Sequence, residues 1–175
     1  MNTFADTIHQ WETFYFATGG IGATLAGLMF VAAALHFQRF QSQNNVPLRA
    51  WSSYTLAHFA QVILISLLFL VPAQTPAGLG LPLAASASIG LLTFLAGIAY
   101  VVRKRQTVRL YSWALYFIMP AALYGLMLVS ALRVAGGYAD LLPLFVIVIV
   151  GLLALGAQNC WNLVVHQRIP GVTEG

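Results

Sequence analysis

The stretch "SYTLAHFAQVILISLLFLVPAQTPAGLGLP", residues 53 to 82, decides the fold of this chain. Its first part is apolar and uncharged, yet it carries His58 and Gln61 one helical turn apart. Its last part, residues 71 to 82, contains three prolines and two glycines. Such residues end a helix and let the chain reverse. The stretch therefore predicts one apolar helix that ends near residue 71, then a turn, then a second helix.

The composition of the whole chain extends this pattern. The chain has 175 residues, of which 60% are hydrophobic and 7% are charged, whereas a soluble domain carries roughly a quarter charged residues. No water-soluble fold could bury so much apolar surface. The uncharged windows 13–38, 50–102, 110–132 and 141–167 each reach the roughly 20 residues that cross a bilayer core. The second window is long enough to cross twice.

The windows predict an all-α fold, a polytopic transmembrane helix bundle. We expect a single integral membrane domain over residues 1–175. Its five predicted spans cover residues 13–37, 51–71, 81–102, 111–133 and 141–165.

The basic residues predict the orientation of these spans, because cytoplasmic segments retain lysine and arginine. Seven of the eight basic residues fall on one side of the predicted spans, and only Arg133 falls on the other. The seven are Arg39, Arg49, Arg103, Lys104, Arg105, Arg109 and Arg168. We therefore expect the N-terminus outside and the C-terminus inside. Arg103, Lys104, Arg105 and Arg109 form the predicted cytoplasmic basic loop, which topology explains without a nucleic-acid partner.

The N-terminal residues carry a helical pattern of their own. Apolar side chains recur on one face, at Phe4, Ile8, Trp11 and Tyr15. The pattern predicts a short interfacial helix that runs into the first span. Three polar residues at spacings of three, Asp6, His9 and Glu12, could suggest a metal site. Weak ligands on one short turn more often form a solvated face, so we expect no metal.

The first span is rich in small residues. Gly19, Ala23 and Gly27 follow one another at intervals of four. Helices associate in lipid by close packing, which small residues permit. The three residues predict a helix-packing ridge, within one bundle or between subunits.

A set of polar residues falls in the cytoplasmic halves of the predicted spans. Because a polar side chain facing lipid is costly, we expect these residues to turn inward and bond one another. This polar inner layer consists of Tyr54, His58, Gln61, Tyr100, Tyr116, Gln158, Asn159 and Asn162. It has two interpretations, interhelical hydrogen bonding or a wet vestibule in which His58 titrates. The first is favoured because no acid lies at membrane depth.

The sequence offers little for catalysis or a cofactor. A haem held by His36 and His58 is geometrically conceivable, and a quinone site is a further alternative, but lone histidines without a paired motif are weak evidence. Cys160 has no acid near it in sequence. We find no Ser-His-Asp spacing, no glycine-rich phosphate loop and no HExxH motif. We therefore expect neither an enzyme nor a bound cofactor.

Three stretches carry a resemblance: "WETFYFATGGIGATLAGLMFVAAAL", "LRAWSSYTLAHFAQVILISLLFLVPAQ" and "CWNLVVHQR". They resemble a set of small uncharacterised bacterial multi-pass membrane proteins, some of which are labelled modulators of a membrane-anchored AAA protease. The shared pattern covers the first, second and fifth spans. The resemblance implies the bacterial inner (plasma) membrane. Those proteins often continue the last motif with a glutamate, where this chain has His166 or its neighbours.

Two functional expectations remain. The first is a self-associating bundle, a homo-oligomer, that forms a pore or conduit. The second is a non-conducting interaction subunit or regulator of another membrane protein, such as a membrane protease. A pore needs polar residues at several depths, and the outer half offers only hydroxyl groups, at Thr18, Thr24, Ser86, Ser88 and Ser130.

Overall fold

The computed structural model describes residues 4–35, 46–103 and 117–161, and every regular element within them is a helix. The helices are α1 (Phe4–His9), α2 (Glu12–Leu35), α3 (Val46–Phe69), α4 (Pro76–Arg103), α5 (Met119–Ala135) and α6 (Leu144–Trp161). Three segments of these helices are long and apolar enough to cross a membrane, namely Glu12–Ala34, Pro76–Ala99 and Leu144–Trp161. Two shorter apolar helices are Ser53–Phe69 and Met119–Ala135. The chain is thus all-helical over these residues and suited to a membrane.

The turn after α3 is shorter than the proline and glycine pattern predicts. Helix α4 begins at Pro76, ahead of the predicted residue 81, and Pro82 lies inside the helix. Proline suits the first position of a helix because that position needs no N–H donor. The Thr75 hydroxyl caps this end by accepting a hydrogen bond from the Gly78 N–H at 3.0 Å. At the other end of the turn, the Gln74 side chain donates to the Leu68 carbonyl of α3 at 2.9 Å.

The helices form a bundle with one peripheral member. Helix α4 packs most extensively on α5, while α6 contacts both α3 and α5. The backbones of α3 and α4 come close to each other at few positions. Side chains fill the space between them. Helix α2 packs mainly on α3. The fully buried core lies among α3 to α6 and includes Ile65, Leu79, Leu83, Met127, Phe145, Ile149 and Leu152.

Aromatic rings close one end of this bundle. The Tyr15 ring stacks on Phe69 with centroids 4.0 Å apart, and Phe69 meets Phe145 edge-on at 5.3 Å. Helix α1 ends at His9 and α2 begins at Glu12, so a turn joins the short N-terminal helix to α2. Ile8 is only 6% exposed and belongs to the core. The apolar face of α1 therefore covers protein at the end of the bundle.

Large apolar side chains cover the outside of the bundle. Phe16 and Ile89, for example, are 73% and 68% exposed. Others that are more than half exposed include Leu28, Phe30, Val31, Leu67, Leu92, Val129, Leu132, Ile147 and Val150. Water would penalise a surface of this kind, whereas lipid tails are as apolar as the side chains.

Candidate functional site

His58 lies in a cluster of rings contributed by three helices. Its imidazole, 1% exposed, stacks on Phe94 of α4 with centroids 5.4 Å apart and ring planes 6° apart. Tyr124 of α5 lies 6.2 Å from the imidazole and 5.6 Å from the Phe94 ring. These three rings occupy the space where the backbones of α3 and α4 stand apart. We call His58, Phe94 and Tyr124 the ring cluster.

The ring cluster holds His58 through ring contacts. The Nδ1 atom of His58 is buried and has no hydrogen-bond partner. The acids that the structure describes are Asp6, Glu12 and Asp140, which belong to the N-terminal turns and to the loop after α5. A buried polar atom without a partner costs free energy, and Phe94 cannot act as a partner.

Gln61, one turn further along α3, makes side-chain contacts to two neighbouring helices. Its Nε2 donates to the Ser86 hydroxyl of α4 at 3.1 Å and contacts the Met127 sulfur of α5 at 3.5 Å. Ser86 in turn donates to the carbonyl of Leu83 at 3.0 Å. Gln61 thus links three helices. Sequence reasoning placed Ser86 among isolated hydroxyls of the outer half and missed this pairing, because residue number does not give the relative rotation of two helices.

The other predicted members of the polar inner layer fall in different places. Tyr54 is half-buried, with its ring 5.3 Å from Phe94, and Asn159 is buried. Gln158 is exposed, which corrects the prediction that it turns inward. Neighbouring residues in a helix point about 100° apart, and here this rotation places Asn159 inside and Gln158 outside. Tyr116, Asn162 and the side chain of Tyr100 lie outside the described residues.

The predicted packing ridge divides between two surfaces of α2. A methyl group at Gly19 would lie 3.0 Å from the Ser66 Cβ atom of α3. Ala23 and Gly27 are exposed, and a methyl group at Gly27 would meet nothing within 4 Å. Within the described chain, only Gly19 of the three therefore lies against a neighbouring helix. A contact of Ala23 and Gly27 between subunits, the other alternative, stays a prediction.

Within the chain, α2 packs on α3 through a different set of small side chains. A methyl group at Gly22 would lie 3.3 Å from the Ile63 side chain. One turn earlier, the hydroxyl groups of Thr18 and Ser66 lie 3.2 Å apart. Ala26 is also buried. The internal contact therefore follows Thr18, Gly22 and Ala26, a stripe that the sequence reasoning did not single out.

The remaining candidate residues lie at the surface of the protein or outside the described residues. Arg103 is exposed at the end of α4, while Lys104, Arg105 and Arg109 lie outside the described residues. His9 pairs with Glu12, Nδ1 to Oε2, at 2.6 Å on the exposed side. The described part of the chain holds no group of three or more His, Cys, Asp or Glu side chains that could bind a metal ion.

Comparisons with known proteins give no further guide to the site. No family model matches the chain, and no curated protein or solved structure matches it. The inference to function therefore starts from packing.

Large apolar side chains fill much of the interior between Gln61 and the closed end of the bundle. Beyond Gln61, the interior is filled by side chains that are fully buried, including Ile65, Leu79, Phe145 and Ile149. The rings of Tyr15, Phe69 and Phe145 then close the end. An aqueous path through one copy would have to displace these side chains. The arrangement is suited to fixing the helices against one another.

Proposed function

We propose that this protein is a non-enzymatic, multi-pass protein of the bacterial inner membrane that works as an association subunit. In this proposal the packed bundle self-associates through the outward side of α2. The observation that carries the proposal is an exposed row of small residues on α2 that no other part of the described chain covers.

This row lies between two large side chains. It consists of Gly20, Ala23 and Gly27, bounded by Phe16 and Phe30, and we call these five residues the α2 outer face. All five are exposed. A methyl group at Gly20 or Gly27 would meet nothing within 4 Å. Small residues at these intervals let two helix backbones approach closely in lipid, and the flanking rings can pack beside the contact.

A pore through a single copy has weaker support than association. The described interior has fully buried apolar side chains between Gln61 and the closed end. A conduit would therefore have to run between copies, so association is required first in either case. We prefer a second copy to a different membrane protein as the partner, because the face is self-complementary in size, with small residues in its middle and rings at both ends.

The proposal includes five spans with the N-terminus outside and the C-terminus in the cytoplasm. The distribution of the basic residues supports it. A reporter fused after Gly175 is expected to be cytoplasmic, and a tag before Met1 is expected to react with external reagents. An even number of spans would place both on the same side and would contradict this topology.

Particle mass in detergent and in nanodiscs tests the association. The wild type is expected to be a dimer or larger, and the double substitution Ala23→Leu, Gly27→Leu is expected to shift the particle to a monomer because the leucines block close approach. The matched control is Ala96→Leu, at an exposed position of α4. An unchanged mass in the double variant, or a monomeric wild type at all concentrations, would contradict self-association.

A flux measurement then separates the two functional expectations. Wild type in liposomes is expected to leave an entrapped small dye and entrapped ions in place. Release that disappears in the Ala23→Leu, Gly27→Leu variant would establish a conduit between copies. A different outcome would be a monomeric protein whose α2 outer face cross-links to another membrane protein in cells. That outcome would favour the second expectation, a regulator of another membrane protein such as a membrane protease.

A further inference from the structure

The loop after α5 is fixed by its own backbone. The Tyr138 N–H donates to the Arg133 carbonyl at 3.1 Å, and the Gly137 N–H donates to the Val134 carbonyl at 2.9 Å. Gly137 has a φ of 88°, a left-handed conformation that glycine adopts without strain. This hydrogen-bond pair is a Schellman motif, which closes the C-terminus of a helix. The motif places Tyr138 back over the last turn of α5.

Three side chains converge at this loop. The Arg133 guanidinium lies 4.5 Å from the centre of the Tyr138 ring. Its Nη2 also donates to the Asp140 carboxylate at 2.7 Å. The side chains of Arg133 and Asp140 remain 47% and 50% exposed, and Tyr138 is 57% exposed. The group therefore presents one cationic and one anionic side chain next to each other, with donors and acceptors open to a ligand.

An apolar surface continues from this group along α5. Val129 lies one turn before Arg133, and Leu132 lies beside it, so the three share one side of the helix. Val129 and Leu132 are both 55% exposed. An amphiphile whose head reaches Arg133 would lay its chain on these two side chains. A soluble ion would gain nothing from them.

We propose that Arg133, Tyr138 and Asp140 form a docking site for the headgroup of a zwitterionic phospholipid that carries a primary ammonium, the phosphatidylethanolamine class. The phosphate pairs with the free N–H donors of Arg133, and the ammonium pairs with the carboxylate of Asp140. A purely anionic headgroup would meet the charge of Asp140 without a counterpart. A purely cationic one would meet Arg133 in the same way.

The site rests on the proposed placement of α5 across the bilayer, with this loop at the outer headgroup level. It does not depend on association through α2. Lipid retained by each copy can be counted separately in monomeric and oligomeric particles, so failure of the site and failure of the association are distinguishable.

Native mass spectrometry of the full chain tests the site with three lipids that share the same acyl chains. The headgroups are ethanolamine, choline and glycerol phosphates. Wild type is expected to retain the ethanolamine lipid in preference to the glycerol lipid by roughly fivefold, because only the former complements both charges. The choline lipid, whose quaternary ammonium donates no hydrogen bond to Asp140, is expected to be retained less than the ethanolamine lipid. Equal retention of the ethanolamine lipid and either of the other two would overturn the proposal.

Two substitutions give opposite signatures. Arg133→Gln is expected to remove the preference, since the phosphate loses its partner. Asp140→Asn leaves a lone cation and is expected to reverse the preference toward the glycerol lipid. A preference that survives both changes would contradict the site, and a helical spectrum equal to that of the wild type ensures that folding is not the cause.

A matched control and a competition complete the test. Arg103→Gln changes an exposed arginine at the end of another helix and is expected to leave the lipid preference unchanged. Soluble phosphoethanolamine at the lipid concentration is expected not to displace the lipid, because it lacks contacts with Val129 and Leu132. Full displacement would contradict the contribution of Val129 and Leu132 to a lipid site, and the same loss in Arg103→Gln would show that the preference does not arise at Arg133.

Discussion

Gly80 of α4 lies so close to α5 that a methyl group added to it would come 2.6 Å from the carbonyl oxygen of Ala131. The backbone of Ala135 is also in contact with this position. Since the obstructing atoms belong to the backbone, the helices must separate to admit a larger residue. This contact explains why α4 and α5 form the most extensive pairing of the bundle.

Gly80→Ala is therefore expected to lower the free energy of unfolding by roughly 1–3 kcal/mol, the usual cost of overpacking. Thermal unfolding in detergent measures the effect. Gly125→Ala, in α5, is the control, because a methyl group there would meet nothing within 4 Å. Equal stability of Gly80→Ala and the control would mean that the two helices stand further apart than described.

Gly156 of α6 gives a second test of close packing, in this case against a side chain. A methyl group at this position would lie 2.8 Å from the Cζ atom of the fully buried Phe59 ring. Gly156→Ala is expected to be destabilising, and Phe59→Leu in the same chain is expected to recover part of the loss. A double-mutant cycle on unfolding midpoints measures the coupling, about 0.5–3 kcal/mol for residues in contact. Strict additivity would show that the ring and position 156 do not touch.

His58 can be tested by keeping its ring and removing its nitrogens. His58→Phe preserves stacking on Phe94 and removes an Nδ1 atom that has no hydrogen-bond partner. The expected loss of stability is below about 1.5 kcal/mol, as for other shape-conserving changes. His58→Ala, which leaves a cavity beside Phe94, is expected to cost more than about 2 kcal/mol. If both variants lose the same stability, the imidazole nitrogens contribute more than the ring contact does.

The two interpretations of the polar inner layer also predict different results for His58→Phe. Retained stability together with retained association and lipid binding would assign His58 to packing. Retained stability with a lost pH dependence between about 5 and 8 in any of these properties would assign it to a titrating site. Gln61→Leu is the companion variant, because it removes the hydrogen bond to Ser86 and leaves the ring cluster intact.

The ion pair of Arg133 and Asp140 is expected to make the unfolding midpoint depend on pH in the acid range. The hydrogen bond from Arg133 holds the pKa of Asp140 below its usual 3.8. A lowered pKa means that the ionised form stabilises the fold above the usual value and that this contribution disappears as the pH falls through the lowered pKa. The difference in unfolding midpoint between the wild type and Asp140→Asn is expected to be constant above about pH 5 and to shrink below about pH 4. A difference that grows on acidification would show that the pair does not form.

The sequence by itself indicated that the chain is helical and that its helices are apolar enough to cross a membrane. Long uncharged windows favour helices, which satisfy their own backbone groups without water. Pro72 lies in the turn after α3, whereas the other prolines and the glycines of the predicted turn belong to α4. The sequence also singled out His58 and Gln61, because polar residues are conspicuous in an apolar run.

Only the tertiary structure decided which side of each helix faces inward. Gln158 is exposed and Asn159 is buried; Gly20 is open and Gly22 faces α3. In a soluble protein the polar side of a helix would reveal its orientation. In lipid both sides are apolar, so the periodicity of the sequence carries little information about rotation, and packing of the neighbouring helices settles it.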